Sequence, residues 1–206
     1  MPFELADDAR EAQPRAGPAR GWRFAAGDVG SKMADAHAIP IPLRWLAGNR
    51  TDEAWFEESQ VVRETRGDLT FFVTDSVLCG LVDFVEQGPL EPAIAAAYRQ
   101  IHDECAARGF PHLLRYWNFF GAINEGAGDD ERYRRFCVGR AQEQPLAPAA
   151  GYPAATAIGI PGPPGRMQIA FLAARRAGEA IENPRQTHAW NYPREFGPVA
   201  PGFSRA

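Results

Sequence analysis

Nine consecutive residues, His112–Phe120 (HLLRYWNFF), constrain this chain more than any other stretch. They are aromatic and apolar on both faces of an extended strand, so neither face is left for water. Such a strand needs a covering layer on each side. Gly109 and Pro111 stand just before it and stop a helix. That helix begins near Glu91, tolerates Pro92 in its first turn, and carries Ile94, Ala97, Tyr98, Ile101 and Cys105 at helical spacing. After the strand, a Gly/Asn/Asp-rich turn (GAINEGAGDD, 121–130) leads into a second helix over about 130–143, with Asp129 or Asp130 placed to cap it.

Further strands are expected at Leu69–Val73 and Val77–Val85, joined by Thr74-Asp75-Ser76, and within 53–64. Residues 38–48 (AIPIPLRWLAG) hold two prolines and suit a docked extended loop better than a central strand. Ala154–Ile160 and Met167–Ala174 read as a hairpin across PGPPGR. Strands outnumber helices, which favours an α+β fold over a doubly wound α/β sheet. Residues 1–20 read as a mobile arm, and 142–153 (QEQPLAPAAGYP) as the linker candidate.

The net charge is −4, which gives no basis for non-specific nucleic-acid binding. No run approaches the ~20 apolar residues of a membrane helix, and MPFELADDAREAQPR lacks the apolar segment of a secretory signal. Cys79, Cys105 and Cys137 are odd in number and far apart, which suits structural thiols in a reducing cytoplasm.

Of the 22 basic residues only Lys32 is a lysine, so planar anion-binding forks are plentiful. In the second helix Tyr133, Phe136, Cys137 and Arg140 fall on one face. Arg140 therefore sits among apolar neighbours. It either snorkels past the core edge, pairs with a nearby carboxylate, or clamps an anionic ligand. The tail concentrates Arg185, Gln186, His188, Trp190, Tyr192 and Arg194 between prolines. It is either an ordered surface loop or the lining of a site for a small polar anion. His37, His102, His112 and His188 lack metal-ligand spacing. GIPGPPG has too many prolines to cradle a phosphate, and Glu125, Asp129, Asp130 and Glu131 read as turn formers and helix-start acids.

Three stretches, RYWNFFGAINEGAGDDERYRRFCVGRAQ (115–142), YPAATAIGIPG (152–162) and ENPRQTHAWNYPREFGPVAPGFSRA (182–206), resemble the chorismatase family. The similarity runs from about residue 20 onward and is most specific from 112. It implies hydrolysis of chorismate with release of pyruvate, yielding 3-hydroxybenzoate or a dihydroxycyclohexadienoate, as starter units in polyketide and related pathways. It implies no metal or organic cofactor, and two α+β modules related to trimeric chorismate-mutase and RidA-like folds. On the resemblance, residues 21–145 form the N-terminal module and 146–206 open an incomplete catalytic one. Arg140 in CVGRA matches an arginine that holds a substrate carboxylate, and Tyr192 a tyrosine that faces the ligand. Phe196 stands where the family often has tyrosine. The family's catalytic glutamate, its general acid, and a second carboxylate-binding arginine have no counterpart in these 206 residues. The expectation is a chorismatase-like chain that is inactive alone. The alternatives are a non-catalytic binder or interaction protein, and a RidA-like imine or enamine deaminase. A pteridine-dependent oxygenase lacks its metal constellation here. Oligomeric state is left open.

Overall fold

The structure is a computed structural model that describes residues 23–26, 38–43, 52–54, 61–144, 151–161 and 163–206. The expected arm at 1–20, His37 and residues 145–150 of the linker candidate lie outside the described residues.

Three short strands, β1 (Arg23–Ala26), β2 (Ala38–Ile41) and β3 (Asp52–Ala54), form a small sheet with β1 in the middle. The stretch expected as a loop at 38–48 thus supplies β2. Its proline, Pro40, is tolerated because β2 is an edge strand of that sheet.

The main sheet is built from β4 (Val62–Arg66), β5 (Leu69–Val73), β6 (Val77–Val85), β7 (His112–Gly121), β8 (Ala154–Ile160) and β9 (Arg166–Ala174), in the order β4-β5-β6-β9-β7-β8. Two helices complete it. α1 (Leu90–Ala107) links β6 to β7, and α2 (Arg132–Ala141) links β7 to its parallel neighbour β8. All other pairings in this sheet are antiparallel. The class is therefore α+β, a mixed sheet with two helices.

The last strand corrects the expected hairpin. β8 and β9 are not a hairpin, because β7 lies between them. β9 inserts between β6 and β7, with Met167–Ala174 all buried. β8 and β9, which follow the expected division at 145/146, lie in the same sheet as β4–β7. The local signal was a short proline-rich loop, and that loop spans one intervening strand as readily as it closes a tight turn.

Both faces of the sheet are covered, as the apolar β7 requires. On one face Leu69, Phe71, Leu78, Val82, Tyr116, Phe120, Ile169 and Phe171 meet α1 and α2 through Ile94, Tyr98, Ile101 and Phe136, with Phe110 of the α1–β7 connection beside them. On the other, Phe72, Cys79, Leu81, Ala170 and Leu172 pack with Ile39 of β2. A bulge at Leu114 lets β7 serve both sides. It advances the register between Leu113 and Arg115, so that Tyr116 points to the helices and Trp117 away. Arg63, Glu64 and Arg66 give the β4 edge a charged rim.

The helices touch most closely at Gly139. A Cβ there would lie 2.6 Å from the Glu91 carbonyl oxygen and 2.8 Å from Ile94 Cβ. Helix propensity alone would make Gly139→Ala stabilising by about 1 kcal/mol. The close approach of two backbones reverses that sign. Chemical denaturation should show Gly139→Ala destabilised by about 1–3 kcal/mol; an unchanged or raised stability would mean that the helices can move apart freely.

Candidate functional site

α2 carries four arginines, and three of them meet carboxylates. Arg132 forks onto Glu86, with Nη1 donating at 3.1 Å to Oε2, and also donates to the Gly121 carbonyl. Arg135 donates to both oxygens of Glu91 at 2.7 and 2.8 Å, and Arg134 to Glu131 at 3.1 Å. These pairs fix α2 to the β6–α1 corner and to its own start. Glu131 is the residue before the helix and makes no side-chain cap, so the expected capping by Asp129 or Asp130 does not occur. Asp129 instead pairs with Arg194 of the tail.

Arg140 differs from the other three. It is only 3% exposed, so it does not snorkel. No carboxylate pairs with it among the described residues, and its Nη2 has no hydrogen-bond partner. Its guanidinium lies 5.5 Å from the Phe136 ring centre and beside the Tyr98 hydroxyl. Tyr98 donates to Asn118 Oδ1 at 2.8 Å, and Asn118 donates to the Thr156 carbonyl at 3.0 Å. The Tyr116 ring packs 4.9 Å from Tyr98, and its hydroxyl lies 3.0 Å from His102 Nε2. Burial pushes the Tyr98 phenol up to about 12 and lifts those of Tyr116 and Tyr133 well above the usual range. These hydroxyls are therefore neutral near pH 7 and cannot neutralise Arg140. A buried guanidinium without a counter-ion is an anion receptor already desolvated and aimed.

The tail reaches the same region. Tyr192 is half-buried, packs 5.6 Å from the Phe196 ring, and accepts a hydrogen bond from Arg205 Nη2 at 3.2 Å. Tyr133 lies on α2, as Arg140 does. Its phenol is raised first by burial and then by Cys137, with Arg140 opposing and the Tyr192 hydroxyl adding a little. Arg140 and Tyr192 thus both act on the Tyr133 phenol.

The remaining tail residues do not join them. Arg185 and Gln186 are exposed on a turn that Asn183 organises. His188 stacks on Trp190 at 4.5 Å, and Trp190 packs on Tyr152. Phe196 is 58% exposed. Glu125 and Asp130 are exposed at the turn, as expected of turn formers. Composition and spacing missed Tyr98, Asn118, Tyr116 and His102. Two of these were visible only as aromatic core positions, and no spacing signal announced that their hydroxyls would meet.

His102 also lines a cleft of about 640 Å³, together with Leu114, Arg115, Gln144, Tyr152 and Leu172. The buried network therefore opens toward the surface at one end. Among the described residues no group of three His, Cys, Asp or Glu could hold a metal ion, and no helix is long and apolar enough to cross a membrane.

Comparison with known proteins adds the following. A model of the chorismatase FkbO/Hyg5-like N-terminal domain matches residues 53–173. A chorismatase of Streptomyces hygroscopicus is 39% identical over 159 residues, which is 75% of this chain and 45% of that protein. A 3-hydroxybenzoate synthase of the same organism is 35% identical over 158 residues, 75% of this chain and 46% of that protein. The crystal structure of a chorismatase superposes with a TM-score of 0.74 at 31% identity, covering 95% of this chain and 61% of that one. The chain spans about half the length of the curated relatives it matches.

Two outcomes follow from the site's electrostatics. Removing the unpaired cation should help the unliganded fold, so Arg140→Met should raise stability by about 1–2 kcal/mol in denaturant titrations, whereas Glu86→Ala, which strands Arg132, should cost about 3–5 kcal/mol. Equal losses in both would show that Arg140 is structurally paired. The second outcome concerns His102, whose ring burial holds below its ordinary pKa. The unfolded chain then takes up the proton first, so this group's stabilisation is complete above ~6.5 and is lost as pH falls through the lower folded value. Comparing unfolding midpoints across that window with those of His102→Gln should show a flatter acid limb in the variant.

Proposed function

The match over residues 53–173 shows that this chain belongs to the chorismatase FkbO/Hyg5-like family, and on that premise we propose that it binds chorismate at Arg140 and Tyr192. Arg140 pairs with a ligand carboxylate, and Tyr192 orients the ligand by a hydrogen bond. The observation that carries this reading is the Arg140 guanidinium, buried and without a carboxylate partner among the described residues. A dianionic enolpyruvyl ether supplies what it lacks.

In the complete reaction a carboxylic acid protonates the methylene carbon of the enolpyruvyl side chain. Water then attacks the oxocarbenium-like carbon, and the hemiketal so formed collapses: its carbon parts from the ether oxygen, which stays on the ring as a hydroxyl, and pyruvate leaves. Arg140 and Tyr192 hold charge and orientation in that sequence and do not supply the proton to carbon, since a guanidinium is far too weak an acid. The glutamate implied by the resemblance has no counterpart here. We therefore assign the acid to the length of the relatives that these residues do not span. Binding without turnover is the property proposed for this chain alone. We also read the six-stranded sheet and its helices as one RidA-like module of two in the longer relatives. Release of 3-hydroxybenzoate is one product that the relatives' names favour.

Calorimetric titration of chorismate tests this directly. The wild-type chain should bind, and Arg140→Ala should bind at least about tenfold more weakly, the loss expected for a charge-assisted hydrogen bond. Equal affinities, or no binding by wild type, would remove the proposed site. In parallel, pyruvate release by the chain should stay at background, and robust turnover would place the acid within these residues.

A further inference from the structure

We infer that Arg205 is a positioning residue that turns the Tyr192 hydroxyl into an obligate donor toward the ligand held by Arg140; this rests on the proposed roles of Arg140 and Tyr192.

The backbone around Arg205 is fixed on both sides. The Ser204 amide donates to the Pro153 carbonyl at 3.1 Å, and Ala206 and Ile181 exchange two backbone hydrogen bonds at 3.2 and 2.7 Å. Between them the Arg205 amide donates to Glu182 Oε1 at 3.0 Å. The Arg205 side chain leaves this clamp in a set direction. Its Nη2 donates to the Thr187 carbonyl and to the Tyr192 hydroxyl, each at 3.2 Å. Its Nε lies 3.9 Å from Glu182 Oε2, the oxygen that also faces His188 Nδ1 at 3.4 Å. Glu182 therefore balances the charge of Arg205 from behind.

A guanidinium only donates and keeps its protons at any pH a protein survives. The Tyr192 oxygen must accept from it. The phenolic proton cannot point back at Arg205, and prefers the plane of the ring. It is turned to the side away from Arg205, and the ligand that Tyr192 is proposed to orient meets it there. A carboxylate or hydroxyl oxygen of a ligand paired with Arg140 meets an O–H rather than a lone pair. Without Arg205 the hydroxyl is free to rotate, and the site loses its preference for an acceptor.

Two measurements decide the matter. Tyrosine labelled with carbon-13 at Cζ gives one NMR resonance per ring, and that of Tyr192 is the one lost in Tyr192→Phe. It should move in Arg205→Ala, return most of the way in Arg205→Lys, which restores a cationic donor, and leave the Tyr98 and Tyr116 resonances in place. An unmoved Tyr192 resonance overturns the inference. Should Arg205→Ala fail to fold, Arg205→Met, which keeps the length of the side chain and removes every donor, takes its place and should move the resonance equally. The second measurement is a cycle of chorismate affinities. Arg205→Ala should weaken binding about tenfold in the wild-type background and not at all in Tyr192→Phe. Additive losses overturn the positioning role, because Arg205 would then act on the ligand without Tyr192. If wild type and Arg140→Ala both fail to bind chorismate, the Arg140 site is what fails, and the Cζ resonance alone decides whether Arg205 sets the Tyr192 hydroxyl.

Discussion

The fold depends on the insertion of β9 between β6 and β7. Until residues 166–174 are in place, β6 and β7 have no common neighbour. The meander β4-β5-β6 and the β7-α2-β8 unit are then separate half-sheets. β9 joins them by pairing from Val77↔Ala174 to Val85↔Arg166 on one side and from His112↔Ala174 to Phe120↔Met167 on the other. Its odd residues, Met167, Ile169, Phe171 and Ala173, fill the space under the helices, and Ala170, Leu172 and Ala174 fill the opposite face. Such a strand has no side on which a charge is cheap. The one polar side chain in its interior, Gln168, donates to Asp83 at 2.9 Å. Pairings across nearly a hundred residues also carry a large loop-closure entropy, so the sheet forms late relative to the helices.

Once the sheet is closed, α2 is held where its charges matter. Three arginines are satisfied at its rim by Glu86, Glu91 and Glu131, while the fourth is turned inward without a carboxylate among the described residues. The surrounding groups soften that cost without removing it. A phenol and an aromatic face stabilise a cation, yet neither neutralises it. A fold selected only for stability would place an apolar side chain at 140. Keeping a desolvated guanidinium there makes sense when a ligand supplies the missing charge, the usual exchange between stability and binding.

Much of this was legible in the chain itself. The ends of α1, the β5–β6 pair, the doubly buried β7 and the apolar face bearing Phe136, Cys137 and Arg140 follow from periodicity and from Gly109 and Pro111. Strand neighbours did not follow. PGPPGR is a good short connection, and a short connection suggests a hairpin. Whether a third strand slips between its two arms is settled by burial, and β7 and β9 bury each other too well to stay apart. The hydroxyl network was equally silent. Tyr98 reads as core at helical spacing, and only the packing of α1 on β7 brings its oxygen to Asn118, twenty residues on.

The tail shows how such a site can be made rigid without regular structure. From 177 to 206 it has only two single-turn 3₁₀ segments, yet it is tied at several separated points: Ile181 to Ala206, Ser204 to Pro153, and Arg194 to Asp129 before α2. Each tie fixes a short loop whose prolines have already reduced its freedom. Between the ties Trp190 packs on Tyr152, and Ala189 is buried. What remains is a strap that holds Tyr192 against Arg205 and is tied ahead of α2 by Arg194 and Asp129. A loop pinned in this way holds a hydroxyl nearly as well as a strand would, and loses little entropy when a ligand arrives. The Gly- and Pro-rich composition of this segment is therefore the means by which a binding group is placed, through turns that only those residues make at low cost.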